Sequence, residues 1–137
     1  MSKRIFLVVA FFLTLTSLWA VTAVPVFGDY ADKFEVTLES SSTANFINLT
    51  KKEFVFKSGI KSESFNINAD DFNLTDFLNA YGAKTVFIEK TEAGVSYYAY
   101  SKKIKYRKLI DEKAINLHIN ISNDSVTVGS PIIFGGF

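Results

Sequence analysis

Ile115-Asn116-Leu117-His118-Ile119-Asn120-Ile121-Ser122 alternates apolar with polar residues at every step, and beyond Asn123-Asp124 the run Ser125-Val126-Thr127-Val128 alternates again. A period of two is that of a β-strand, whose successive side chains point to opposite faces. Asn and Asp suit the turn between two such strands. The segment therefore predicts an antiparallel pair with one buried and one solvated face. After it, Ile132, Ile133, Phe134 and Phe137 form an apolar tail expected to dock on the domain.

Upstream, Thr85 to Lys90 and Val95 to Ser101 are strand candidates joined by Thr91-Glu92-Ala93-Gly94, a hairpin-length connection ending in glycine. Leu74, Phe77, Leu78 and Tyr81 fall at i, i+3, i+4 and i+7, which predicts a short helix over residues 74–81. Asn73 is its expected N-cap and Gly82 its left-handed terminator, with Asp76 at the positive end of the helix dipole. Further strands are expected at Phe34 to Leu38, Glu53 to Lys57 and Ser64 to Asn68, with a loop at Ser40 to Thr43. The fold class expected is α+β, an antiparallel β-sheet with the helix packed on one face.

Lys3 and Arg4 precede Ile5 to Phe27, a run without charge. A basic head, an apolar stretch and small residues make the pattern of a secretory signal peptide or an N-terminal membrane anchor over residues 1–23. Val21-Thr22-Ala23 offers a cleavage site before Val24. Residues 24–33 then read as a linker and 34–137 as a single domain, working outside the cytoplasm, secreted or anchored by the apolar segment. Removing Lys3 and Arg4 from the 15 basic residues leaves 13 against 14 acidic ones, a net charge near −1 with His118 neutral. Such a balance provides no general attraction for nucleic acid. The chain has no cysteine, which excludes disulfide staples, thiolate catalysis and thiolate metal sites.

The run Ile115 to Ile121 followed by Val126-Thr127-Val128-Gly129-Ser130-Pro131-Ile132-Ile133 resembles the closing segment of the YwmB-like family, exported proteins of spore-forming Gram-positive bacteria. Asn116-Leu117 and Val126 to Pro131 carry most of the likeness. Tyr81-Gly82-Ala83 and Tyr97-Tyr98-Ala99-Tyr100-Ser101 look similar to the helix and hairpin that precede it in short members. The resemblance covers about residues 74–137. It implies a cell-envelope location, an association with sporulation and a helix on a curved sheet. The family also carries a TATA-box-binding-like label by shape, and shape does not carry DNA binding with it.

His118 is the only histidine and is expected to be solvated on the polar face of its strand. Zinc would need three or four ligands, and one His without Cys does not supply them. Asp70-Asp71 and Asp111-Glu112 form neither a calcium ladder nor a converging glycosidase pair. No serine sits in a recognised nucleophile motif, so neither cofactor nor catalytic residue is assigned, and an unrecognised hydrolase is the least favoured reading. The feature that remains is Tyr97 to Lys108, with four tyrosines and five cations in twelve residues. Within it Tyr98, Tyr100, Lys102, Lys103, Lys105, Tyr106, Arg107 and Lys108 are the candidate contact to an anionic envelope polymer or membrane surface. The competing readings are a solvated charged face with core tyrosines, and a structural or accessory subunit that meets another envelope protein through a strand edge or the apolar tail.

Overall fold

The computed structural model describes residues 3–21, 23–38 and 46–133. In chain order it contains helix α1 (Lys3–Val21), strands β1 (Lys33–Leu38) and β2 (Ile47–Thr50), helix α2 (Lys51–Phe54), strand β3 (Ile60–Asn68), a 3-10 turn (Ala69–Asp71), helix α3 (Leu74–Tyr81), strands β4 (Lys84–Thr91) and β5 (Gly94–Tyr100), the short pair β6 (Lys108–Ile110) and β7 (Lys113–Ile115), and strands β8 (Leu117–Ile121) and β9 (Ser125–Ser130). One seven-stranded sheet runs in the order β2-β1-β3-β9-β8-β5-β4 and every pairing in it is antiparallel. The fold class is α+β, as the alternation and the helical stripe predict.

Register explains the two faces, because directly opposed residues share a face. Ile88, Tyr97, Ile119, Val128 and Phe65 form one row across five strands. On this face Leu117, Ile119, Val126 and Val128 are buried, and α3 brings Phe77 to them. The helix has the caps its sequence predicts: Asn73 accepts from the Asp76 N–H at 3.0 Å, and Gly82 is left-handed at φ 58°. Phe27 is fully buried, with ring centroids 5.2 Å from Phe65, 6.2 Å from Phe77 and 5.8 Å from Tyr81. The packed body thus begins upstream of Phe34, inside the stretch read as a linker.

Two expectations are corrected. Residues 51–54 form α2 rather than the start of a strand over Glu53 to Lys57, because Thr50-x-x-Glu53 is a capping box. The Thr50 N–H donates to Glu53 Oε2 at 2.8 Å, and the Glu53 N–H donates back to Thr50 Oγ1 at 3.4 Å. Phe54 is turned onto Phe34, 5.5 Å away between centroids. The second correction concerns the polar side chains of residues 116–120, which are not wet: Asn116, just before β8, is 0 % exposed, and His118 and Asn120 on β8 are 3 % and 2 % exposed. Tyr98 stacks between Phe87 and His118, 4.3 Å from each. The chain after β9 folds back over the same face, where the Ile133 N–H donates to His118 Nδ1 at 3.2 Å. Alternation sets which side a residue points to, but not what lies over that side.

The apolar tail docks through Ile133, while Phe134 and Phe137, like the loop expected at Ser40 to Thr43, lie outside the described residues. In α1 the large apolar side chains from Ile5 to Leu15 are 43 to 68 % exposed, on all sides of the helix. Among the described residues no helix is long and apolar enough to cross a membrane.

Candidate anion-binding surface

The basic stretch leaves β5 at Tyr100 and enters β6 at Lys108, so most of it is a loop. A buried asparagine fixes its path. Asn116 Oδ1 accepts the Ser101 N–H at 2.8 Å, while its Nδ2 donates to the Ser101 carbonyl at 2.7 Å and the Ile104 carbonyl at 3.0 Å. Ile104 anchors the middle of the loop in the core, 6 % exposed. With Ser101 and Ile104 pinned inward, Lys102, Lys103, Lys105, Arg107 and Lys108 all face outward and are exposed. Lys103 Nζ reaches the Ala80 carbonyl at 2.9 Å, at the negative end of α3, where a cation is favoured.

Two concavities flank the loop. The larger, about 890 Å³, includes Lys103, Lys105 and Tyr106 in its lining, with Tyr30, Tyr81 and Val24 opposite. The smaller, about 280 Å³, is lined by Lys61, Tyr106, Arg107, Lys108 and Pro131. Tyr106 lies between them and borders both. Lys102 borders neither. Tyr98 is separated from the loop cations: it is committed to the aromatic stack, and its hydroxyl donates to Glu89 Oε2 at 3.1 Å. Burial, and then Glu89, raise its phenol. Tyr100 is half-buried at the end of β5, opposite Lys84. Lys61 was invisible to the sequence reading, since only the fold brings β3 beside residues 106–108. Tyr30 and Tyr81 were likewise missed as neighbours of Lys105.

His118 invites comparison with a nucleophile and base, because its Nε2 lies 3.1 Å from Ser96 Oγ. The hydrogen bonds determine otherwise. Nδ1 accepts the Ile133 N–H, so the ring proton of the neutral form is on Nε2 and points at Ser96. Asn120 Nδ2 donates to the same Ser96 oxygen at 2.9 Å. A base must instead present a lone pair to the hydroxyl. Burial holds the imidazole neutral, pushing its pKa down to about 4. The cluster is a satisfied polar network beneath the aromatic stack.

A second buried titratable group stands on the core face. Glu63 is fully buried, and its Oε1 accepts the Phe27 N–H at 3.0 Å. Desolvation pushes its pKa up to about 7, against the lowering effect of the Phe27 and Val26 backbone bonds. Nearby, the Tyr81 hydroxyl donates to the Val26 carbonyl at 2.9 Å, and burial raises that phenol. Together these bonds strap residues 26–27 across the base of α3, forming one wall of the larger concavity. Comparison with family models, curated proteins and solved structures finds no match.

Proposed function

We propose that the chain is a non-enzymatic, exported binding protein of a Gram-positive cell envelope that holds an anionic polymer through the loop from Lys102 to Lys108. The observation that carries this reading is the clamped loop itself: five cations exposed side by side on a backbone held by Asn116, with Tyr106 between two concavities. Charges held in a fixed array lose less entropy on binding than charges on a free tail. Export is supported by the apolar α1, whose exposed side chains find no cover in the domain, as befits a leader or anchor and not a packed element. The resemblance of residues 74–137 to the YwmB-like family supports the same compartment and the link to sporulation.

Replacing Lys102, Lys103, Lys105, Arg107 and Lys108 together by Gln is expected to abolish retention on cell-wall polymer at low ionic strength. Wild-type retention should itself weaken as salt shortens the Debye length from about 30 Å at 0.01 M to about 8 Å at 0.15 M. Equal retention of the variant and the wild type at low salt refutes the reading. The second reading, an accessory subunit that adds a partner strand to β4, is favoured by one observation: β4 is one of the sheet's two edge strands and Ile88 on it is 53 % exposed. Loss of envelope retention through Ile88→Lys, with the loop variant unaffected, would decide for it.

A further inference from the structure

We propose that the larger concavity takes a zwitterionic group, an ammonium joined by a short carbon chain to a phosphate, with the ammonium at Asp29, Tyr30 and Tyr81 and the phosphate at Lys105. This deepens the loop reading by adding a cation to the anionic group that the loop holds, and rests on it. The concavity of about 890 Å³ has two walls of opposite sign. Lys103 and Lys105 stand on one, and Asp29 on the other. Lys103 Nζ is already met by the Ala80 carbonyl at 2.9 Å. Asp29 and Lys105 are exposed, and among the described residues neither side chain has a hydrogen bond or an ion pair. A lone anion would be repelled by Asp29 and a lone cation by the lysines, so the lining favours a ligand that carries both charges.

The acidic wall is built for an ammonium. Tyr30 and Tyr81 stand beside one another with ring centroids 5.9 Å apart and planes inclined by 35°. Burial raises the Tyr81 phenol most, and Tyr30 and then Asp29 add to it, so this corner of the concavity carries negative potential. A carboxylate next to aromatic rings is the chemistry that recognises ammonium groups. The wall is also fixed in place. The Tyr30 and Ala31 N–H groups donate to the Phe27 carbonyl at 2.9 and 3.2 Å, and the Tyr30 ring meets Phe77 edge-on, 4.8 Å between centroids. On the opposite side Ile104 is buried next to Lys105, so both walls are held before any ligand arrives. Val24 and Ile104 supply apolar surface for the carbon chain between the two charges. The volume lies in the range of about 300–1,000 Å³ of small-molecule sites and accommodates one such group of a longer ligand. Wall polymers with aminoacyl esters and phospholipids with amine headgroups share this chemistry.

The test uses the full chain, first with phosphoethanolamine and glycerol phosphate as small probes. Phosphoethanolamine should shift the amide resonances of Asp29, Tyr30 and Lys105, and glycerol phosphate that of Lys105 without those of Asp29 and Tyr30. Binding is then compared for poly(glycerol phosphate) with and without alanyl esters, and for phosphatidylglycerol vesicles with and without phosphatidylethanolamine. The ammonium-bearing form should bind about fivefold more tightly, the combined effect of one exposed ion pair and one exposed cation–π contact. Asp29→Asn and Tyr30→Leu should erase that preference, whereas Tyr30→Phe, which keeps the ring, should retain it. Asp32→Asn, an exposed carboxylate outside the concavity, controls for total charge and should also retain it. A preference confined to the polymer arm assigns the group to the wall, and one confined to the vesicle arm assigns it to lipid. No preference in either arm, or one that Asp29→Asn leaves intact, overturns the site. In that event, lost retention in the quintuple loop variant leaves the loop reading standing, and normal retention by that variant refutes that reading as well.

Discussion

Glu63 and His118 are each buried in ways that oppose one another as pH changes. The folded-state pKa of Glu63 is raised from 4.5 to about 7, so its contribution is favourable in acid and is lost as pH climbs through that range. That of His118 is lowered from 6.5 to about 4, so its contribution is lost as pH falls from 6.5 toward 4. Each shift corresponds to a change on the order of 3 kcal/mol. Between pH 4.5 and 6.5 the two slopes cancel, and wild-type stability measured by urea unfolding should be nearly level as far as these groups determine it. Glu63→Gln should expose a stability that rises from pH 4 to 6.5, and His118→Gln one that falls from pH 4.5 to 7. Parallel profiles for the two variants would show that the assigned environments are wrong. The burial of neither residue is legible in the sequence, although His118 stands out there as the only histidine. Glu63 sits between Ser62 and Ser64, where a strand pattern is faint, and His118 occupies a position that alternation labels as polar.

At the scale of elements, the local signals that were specific held. The α3 caps and stripe were legible because a helix end is decided within four residues by its own side chains. The β4–β5 hairpin was legible for a similar reason, and its glycine, Gly94, can be ranked against Gly82 of the α3 cap. Gly94 has φ 132°, and a Cβ there would overlap the Ile121 carbonyl oxygen of the neighbouring strand. Gly82 has φ 58°, and the nearest atom to a Cβ is the Lys103 side-chain Cε at 3.7 Å, an ordinary contact distance. Gly82→Ala should therefore cost about 1 kcal/mol, the local left-handed penalty. Gly94→Ala should cost more than about 2 kcal/mol, because backbone must move. Urea midpoints of the two variants check the order, and equal losses would refute it. The strand expected at Glu53 to Lys57 failed because Phe, Val and Phe there also fit one turn of helix, and the capping box upstream selects the helix.

For the molecule as a whole, the informative boundary lies between α1 and the packed body. A chain beginning at Val24 keeps Phe27 and its Glu63 and Tyr81 attachments, and should unfold cooperatively with an intact near-UV signal. A chain beginning at Lys33 lacks Phe27, a fully buried ring, and should lose at least about 3 kcal/mol or fail to fold. Equal stability of the two chains would return residues 24–33 to the status of a linker. Periods of two and of 3.6 and the capping residues act over a few neighbours, so the α+β class, the helix at Leu74–Tyr81 and the hairpins β4–β5 and β8–β9 are legible from local sequence alone. That Phe27 belongs to the core, that the polar side of β8 is covered, and that Lys61 lines the same concavity as Arg107 and Lys108 follow from the fold. Those outcomes depend on which distant segments pack together, and neither periodicity nor propensity contains that information.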